Sequence, residues 1–178
     1  NQRVMFNQAS RVTIPTGGSV VSDPISLNVL AGQDLAVSLY LPESDVRPSQ
    51  HTLAFVTSYL TANGAGDVAA DETRTPFTST TTSMLWLKAI DVLTSTHTGA
   101  IVAFGDSIPD GTASTINGDD RWPDVLSRRL HAAYGEDFVV VNQGIGGNQV
   151  VGPAEYTPAK PFAGGPSALS RLERDIVS

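Results

Sequence analysis

A serine that directly follows a short apolar run has the clearest chemical use in this sequence. Residues Ala100-Ile101-Val102-Ala103-Phe104 end at Gly105-Asp106-Ser107. If the run is a buried strand of a doubly wound sheet, Ser107 lies at the strand's carboxyl end, where such folds bind ligands. There its hydroxyl is exposed and its backbone N–H faces the same space, which suits a nucleophile that also helps to form an oxyanion hole. The alternative is a serine that caps a helix or a turn.

A glycine-rich loop follows the next apolar run, Phe138-Val139-Val140-Val141. The loop extends from Asn142 to Asn148 and contains Gly144, Gly146 and Gly147. Glycines let the backbone approach a ligand and turn N–H groups towards it. Gln149 stands where a dinucleotide-binding Gly-x-Gly-x-x-Gly loop needs its third glycine, so donation to a developing oxyanion is the favoured role. A tight turn without a ligand is the alternative.

The three histidines, His51, His97 and His131, give Ser107 no evident base. His51 lies in a predicted loop, His97 in a polar segment that joins the two halves of the chain, and His131 in a predicted helix. No two of them have the spacing of metal ligands, and none follows an aspartate by three residues. We therefore expect no metal site, and we assign the general base to no residue of this chain.

The elements that must position Ser107 and the glycine loop follow an α/β pattern over residues 99–178. A helix is predicted over 122–134, with Pro123 in its first turn and Gly135 at its end. A second helix is predicted to begin near Pro166-Ser167. Its inner face is predicted to carry Leu169, Leu172 and Ile176. The order strand, helix, strand, helix predicts the first half of a doubly wound, flavodoxin-like domain.

Residues 1–98 predict a β-rich accessory region that resembles a sandwich. The strongest alternation is Leu35, Val37, Leu39 and Leu41, a period of two that is typical of a half-buried strand. Further strands are predicted at 11–14, 19–22, 25–29, 53–60 and 84–92. The threonine-rich stretch 78–82 is predicted to be an edge strand or a loop.

Composition excludes several classes of protein. The chain has 178 residues and a net charge of -7, which argues against a protein that binds the phosphate backbone of nucleic acids. It has no run of 18 apolar residues, so no membrane-spanning helix is predicted. It has no cysteine, which excludes disulfides, thiol catalysis and iron–sulfur clusters. A secreted or periplasmic bacterial location is compatible with the absence of cysteine, but the sequence does not fix the compartment.

The α/β half is predicted to be incomplete within this chain. Two parallel strands cannot cover both of their own faces, and the second predicted helix is still running at Ser178. We expect the remainder of the fold to come from further residues or from a second chain. Asn1 is not a start methionine, so we also expect the N-terminus to be processed or cut from a longer chain.

The Gly-Asp-Ser block and the loop Asn142-Gln143-Gly144-Ile145-Gly146-Gly147-Asn148, each after its strand, resemble the SGNH (GDSL-type) esterase and lipase family. The stretches Ile108-Pro109-Asp110-Gly111 and Arg121-Trp122-Pro123-Asp124 are also similar to that family. Residues 10–98 resemble the β-rich region that precedes the hydrolase domain in a bacterial subgroup.

The resemblance implies roles for individual residues. Ser107 becomes the nucleophile and an oxyanion donor, and the N–H of Gly147 becomes a second oxyanion donor. Asp106 and Asn148, beside them, become candidate substrate-binding residues. The family's later blocks, Gly-x-Asn-Asp and Asp-x-x-His, are absent from this sequence, so the catalytic histidine and aspartate are expected in the remainder of the domain. The substrate is expected to be a small-molecule or carbohydrate ester, and no metal or organic cofactor is needed.

Two other classes of function stay open on the sequence alone. One is a non-catalytic module that binds carbohydrate or protein through exposed aromatic residues, for which Tyr40, Tyr59 and Trp86 are candidates. The other is a structural protein whose second half is supplied by a partner chain.

Overall fold

The computed structural model describes residues 2–30, 32–93, 99–152 and 164–177. Contacts between residues divide the chain into two units, one from 1–45 and 61–78 and the other from 46–60 and 79–178. Residues 46–60 and 79–93, which precede the predicted border at 98/99, are thus grouped with the α/β half. That border, as a division between domains, stays a prediction.

The first unit contains little regular structure. Among residues 2–30 and 32–45 the structure has only an isolated bridge between Phe6 and Ala9, so the strands predicted at 11–14, 19–22, 25–29 and 35–41 are wrong. The alternating residues Leu35, Val37 and Leu39 are exposed. Apolar residues at every second position show only that one face of a strand could be buried. A strand also needs a neighbouring strand to bind its backbone N–H and C=O groups. The described residues of this region therefore do not form the predicted β-sandwich.

Four short strands occur between residues 50 and 85. β1 (Gln50–His51) pairs antiparallel with β4 (Met84–Leu85), and β2 (Ser58–Thr61) pairs with β3 (Phe77–Thr81). The strands predicted at 53–60 and 84–92 are thus much shorter than expected. The threonine-rich stretch forms a strand over most of its length.

The second unit is built around two parallel strands, β5 (Gly99–Gly105) and β6 (Phe138–Gly144). Their register pairs Gly99 with Phe138 and Gly105 with Gly144, so both strands end at the same level of the sheet. Between them lie α1 (Ser107–Asp110) and α2 (Trp122–Tyr134). The predicted order of strand, helix and strand is confirmed here.

α2 matches its predicted bounds because the sequence marks both ends. The carboxylate of Asp124 accepts a hydrogen bond from the backbone N–H of Arg121 at 3.1 Å, and Pro123 occupies the first turn. Gly135 ends the helix with a positive φ of 63°, and its N–H donates to the carbonyl of His131. The helix packs against β6.

The expectation that β5 and β6 are buried on both faces is wrong for the described residues. Ala103 is buried, but Ile101, Val139 and Val141 are exposed. Parallel sheets normally carry helices on both faces, and the described elements cover only part of this one.

The last helix, α3 (Ala168–Leu172), begins where predicted, with Ser167 as its N-cap, and continues as a π-helical turn, Glu173–Val177. Its predicted inner face is wrong, since Leu169, Leu172 and Ile176 are exposed and Arg171 is fully buried. Arg171 and Asp175 face inwards together because they are four residues apart on the same side of the segment.

Candidate active site

Ser107 is the first residue of α1, one residue beyond the turn that ends β5. Asp106, not Ser107, is the N-cap, and its carboxylate accepts a hydrogen bond from the N–H of Ile108 at 3.0 Å. The alternative role of Ser107 as a cap is therefore wrong. Within the described residues, no hydrogen bond engages the hydroxyl of Ser107. The residue as a whole is half buried.

The glycine loop begins beside the serine turn because β5 and β6 end in register. The N–H of Ile145 donates to the carbonyl of Gly105 at 3.1 Å, and the N–H of Asn148 donates back to Ile145 at 2.9 Å. Gly147, between them, has a φ of 77°, and its N–H donates to no acceptor in the described part of the chain. The loop thus leaves one backbone donor uncommitted.

α1 sits directly on the end of β6. A Cβ added at Gly144 would lie 2.2 Å from the backbone nitrogen of Asp110, so no side chain fits there. The side chain of Asn142 donates to the carbonyl of Pro109 at 2.5 Å. These contacts hold the serine turn against the glycine loop.

Asp110 joins three parts of the second unit, a role that the sequence analysis missed. Its side chain is 3% exposed; one carboxylate oxygen contacts Nε2 of His51 at 2.6 Å, and the other accepts from the N–H of Gly146 at 2.7 Å. Asp110 lies in a stretch that resembles the family, which was the available signal. Nothing in the sequence pointed to His51, which precedes Asp110 by 59 residues.

Of the other two histidines, only His131 lies among the residues that the structure describes. His131 is exposed on the last turn of α2. His97 lies outside the described residues. The side chain of His51 is 46% exposed, and no hydrogen bond joins it to Ser107 in the described structure.

Arg171 is the second residue that the sequence analysis missed. Its guanidinium is fully buried and donates to the carbonyls of Gly105 and Gln143, to the side chain of Asn148 and to the carboxylate of Asp175. The available signal was a charged residue among the apolar positions of the last helix.

The two predicted substrate-binding residues have protein partners. The carboxylate of Asp106 caps α1. The amide nitrogen of Asn148 donates to the carbonyls of Gly164 and Pro166 at 2.7 and 2.8 Å, and its oxygen accepts from Arg171. The side chain of Asn148 is thus fully used by the protein, and a direct contact of either residue with substrate stays a prediction.

The pKa of Asp175, the counter-ion of Arg171, lies below its ordinary value. Burial raises the pKa of Asp175, but hydrogen bonds from Arg174 and Arg171 outweigh it and hold the pKa below its ordinary value. The carboxylate therefore stays ionised beside the buried guanidinium at neutral pH.

Residues 103–178 match the model of the GDSL-like Lipase/Acylhydrolase family. Over these residues, which make up less than half of the chain, the sequence is similar to that family. The match begins within β5 and includes Ser107, the glycine loop and Arg171. A comparison with curated proteins found no match. The match suggests hydrolase activity, an α/β fold and small esters as the substrate class.

Two further observations concern ligands and membranes. The described residues contain no group of three or more histidines, aspartates and glutamates that could hold a metal ion. None of the described helices has the length and apolar character that crossing a membrane requires.

Of the aromatic candidates for a binding surface, Tyr40 and Tyr59 are exposed and Trp86 is half buried.

Proposed function

We propose that the protein is a serine hydrolase of carboxylic or acetyl esters, with Ser107 as its nucleophile. The observation that carries this proposal is that the Ser107 hydroxyl and the Gly147 N–H have no hydrogen-bond partner among the described residues and lie on loops that leave adjacent, in-register strands. A nucleophile and an oxyanion donor are needed at one sheet edge for acyl transfer. The family match supports the same reaction class.

The reaction would proceed in two steps. In the first, the Ser107 oxygen forms a bond to the ester carbonyl carbon, a general base takes the hydroxyl proton, and the alcohol leaves with that proton as the C–O bond breaks. In the second, water attacks the acyl-serine, its proton passes through the same base to Ser107, and the carboxylic acid is released. The negative charge that forms on the carbonyl oxygen in both steps would be stabilised by the N–H groups of Ser107 and Gly147, each contributing on the order of 3 kcal/mol.

We propose that the general base is a histidine other than His51 and His131. His51 has Nε2 committed to Asp110, and His131 is exposed on the far turn of α2. His51→Gln is expected to lower kcat by less than about tenfold, because it removes a contact of Asp110 and not the base. A loss as large as that of a nucleophile variant would instead identify His51 as the base.

The accessory role of residues 1–98 and the substrate class are also proposals. A small-molecule or carbohydrate ester fits an acidic chain, whose net charge of -7 disfavours anionic polymers. We retain the secreted or periplasmic bacterial location as a prediction.

A serine-directed fluorophosphonate tests the nucleophile directly. After reaction with the complete protein, peptide mapping by mass spectrometry should find the phosphonyl group on Ser107. Ser114, on the same segment and also half buried, provides an internal comparison and should stay unlabelled. Labelling elsewhere, or no labelling of an active enzyme, would overturn the assignment.

A further inference from the structure

The buried guanidinium of Arg171 ties together the ends of both parallel strands. Nη2 donates to the carbonyl of Gly105 at 2.9 Å, and Nη1 donates to the carbonyl of Gln143 at 2.8 Å. Gly105 lies two residues before Ser107, and Gln143 is the penultimate residue of β6. One rigid group therefore contacts the chain just before each of the two functional loops.

The same guanidinium also fixes the far side of the glycine loop. Nε and Nη2 donate to the side-chain oxygen of Asn148 at 3.2 and 3.0 Å, and Asn148 directly follows Gly147. Nη1 also donates to Asp175 at 3.0 Å, so all five N–H donors of Arg171 are used. The group stacks over the ring of Phe104, with 3.9 Å between the guanidinium carbon and the ring centroid.

We propose that Arg171 is a positioning residue, which sets the spacing between the nucleophile Ser107 and the oxyanion donor Gly147. The proposal rests on the function proposed above. None of the hydrogen bonds that Arg171 makes in the described structure reaches either residue. The guanidinium would act through the carbonyls of Gly105 and Gln143 and the side chain of Asn148. A buried ion pair is weak support for stability, since apolar residues of similar volume commonly serve as well. A planar fork that reaches several fixed acceptors at once is a geometric device, and lysine cannot reproduce it.

The test compares Arg171→Lys with the wild type in the complete protein, using a short-chain nitrophenyl ester. Active sites are first counted with the fluorophosphonate, so that unfolded molecules do not contribute to kcat. Lysine keeps the positive charge beside Asp175 but cannot bind both carbonyls and Asn148. Because a misplacement of about 1 Å costs roughly 100-fold in rate, kcat per titrated site should fall by about that factor while KM changes by less than about threefold.

Arg174→Lys is the matched control. Arg174 also donates to Asp175, but its side chain is 55% exposed, so kcat should stay within about twofold of the wild type. If Arg171→Lys yields no folded protein, Phe104→Leu is measured in its place. This substitution removes the ring that orients the guanidinium and should lower kcat several-fold at unchanged KM. A kcat per titrated site equal to that of the wild type, in whichever of the two variants is measured, overturns the proposal. Failure of the phosphonate to label Ser107 would instead overturn the function on which it rests.

Discussion

At the end of the β5–β6 sheet, most polar side chains are committed to other protein groups. Asp110 and Asn148 use both ends of their side chains, and Arg171 uses all of its donors. Within the described residues, the side-chain hydroxyl of Ser107 and the backbone N–H of Gly147 have no hydrogen-bond partner. Such a pattern is typical of a preorganised site, in which a rigid surround leaves a few groups available to the ligand.

Gly147→Ala should impair catalysis more than it impairs folding. Its φ of 77° strains any residue with a Cβ by about 1–2 kcal/mol, and relief of that strain would turn the N–H away from the oxyanion. We expect kcat to fall at least about tenfold, since loss of one oxyanion donor costs 100-fold or more. The measurement is ester hydrolysis together with the melting temperature.

Gly135→Ala is the control for that strain. Gly135 also has a positive φ, of 63°, at the end of α2, and no atom lies within 4 Å of an added Cβ. Its ψ of -129° places it outside the left-handed helical region, so the Gly135→Ala variant should lose at least as much stability as Gly147→Ala and keep its kcat. Equal kcat values for the two variants would remove Gly147 from the oxyanion hole.

At the scale of elements, the α/β half was predictable where its signals are local. The 122–134 helix has Pro123 and Gly135 at its ends, and β5 and β6 are short apolar runs followed by glycines. The strand that the alternation predicts at 35–41 is wrong because a strand also depends on a distant partner strand, which no local pattern reveals. The predicted inner face of α3 is also wrong. Periodicity selects the leucines as the buried residues, but the buried residue is an arginine whose donors bind backbone carbonyls.

The segment that contains α3 and the π-helical turn should lose stability in acid through Asp175. The folded-state pKa of Asp175 is lowered, so its contribution is fully present above the unfolded pKa and is lost as pH falls through the folded value. Once the pH falls through this lowered pKa, protonation of Asp175 would leave Arg171 without its counter-ion. Thermal melts between pH 7 and pH 3 should show a steeper loss in the wild type than in Asp175→Asn. Parallel curves would show that this pair contributes nothing to acid stability.

At the scale of the whole molecule, apolar sheet surface is the main unexplained feature of the second unit. Ile101, Val139 and Val141 are exposed on strands that such folds normally cover with helices. We propose that protein surface outside the described elements covers these faces. The sequence indicated this need through its two unaccompanied parallel strands, although it did not indicate how residues 46–60 contact the site.

Residues 1–178 on their own should therefore self-associate. The exposed apolar faces of β5 and β6 and their unpaired strand edges favour association. Size-exclusion chromatography over a range of protein concentrations, together with near-UV circular dichroism, checks this point. A well-packed monomer at every concentration would contradict it.

The most direct test of the proposed mechanism is the turnover of Ser107→Ala, measured with a nitrophenyl ester in the complete protein, with Ser114→Ala as the matched control. If Ser107 is the nucleophile, its loss should lower kcat by about 10⁴-fold or more, because the members of a catalytic triad act as a unit, while Ser114→Ala should turn over like the wild type. A folded Ser107→Ala variant whose kcat lies within about tenfold of the wild type would contradict the assignment of Ser107 as the nucleophile.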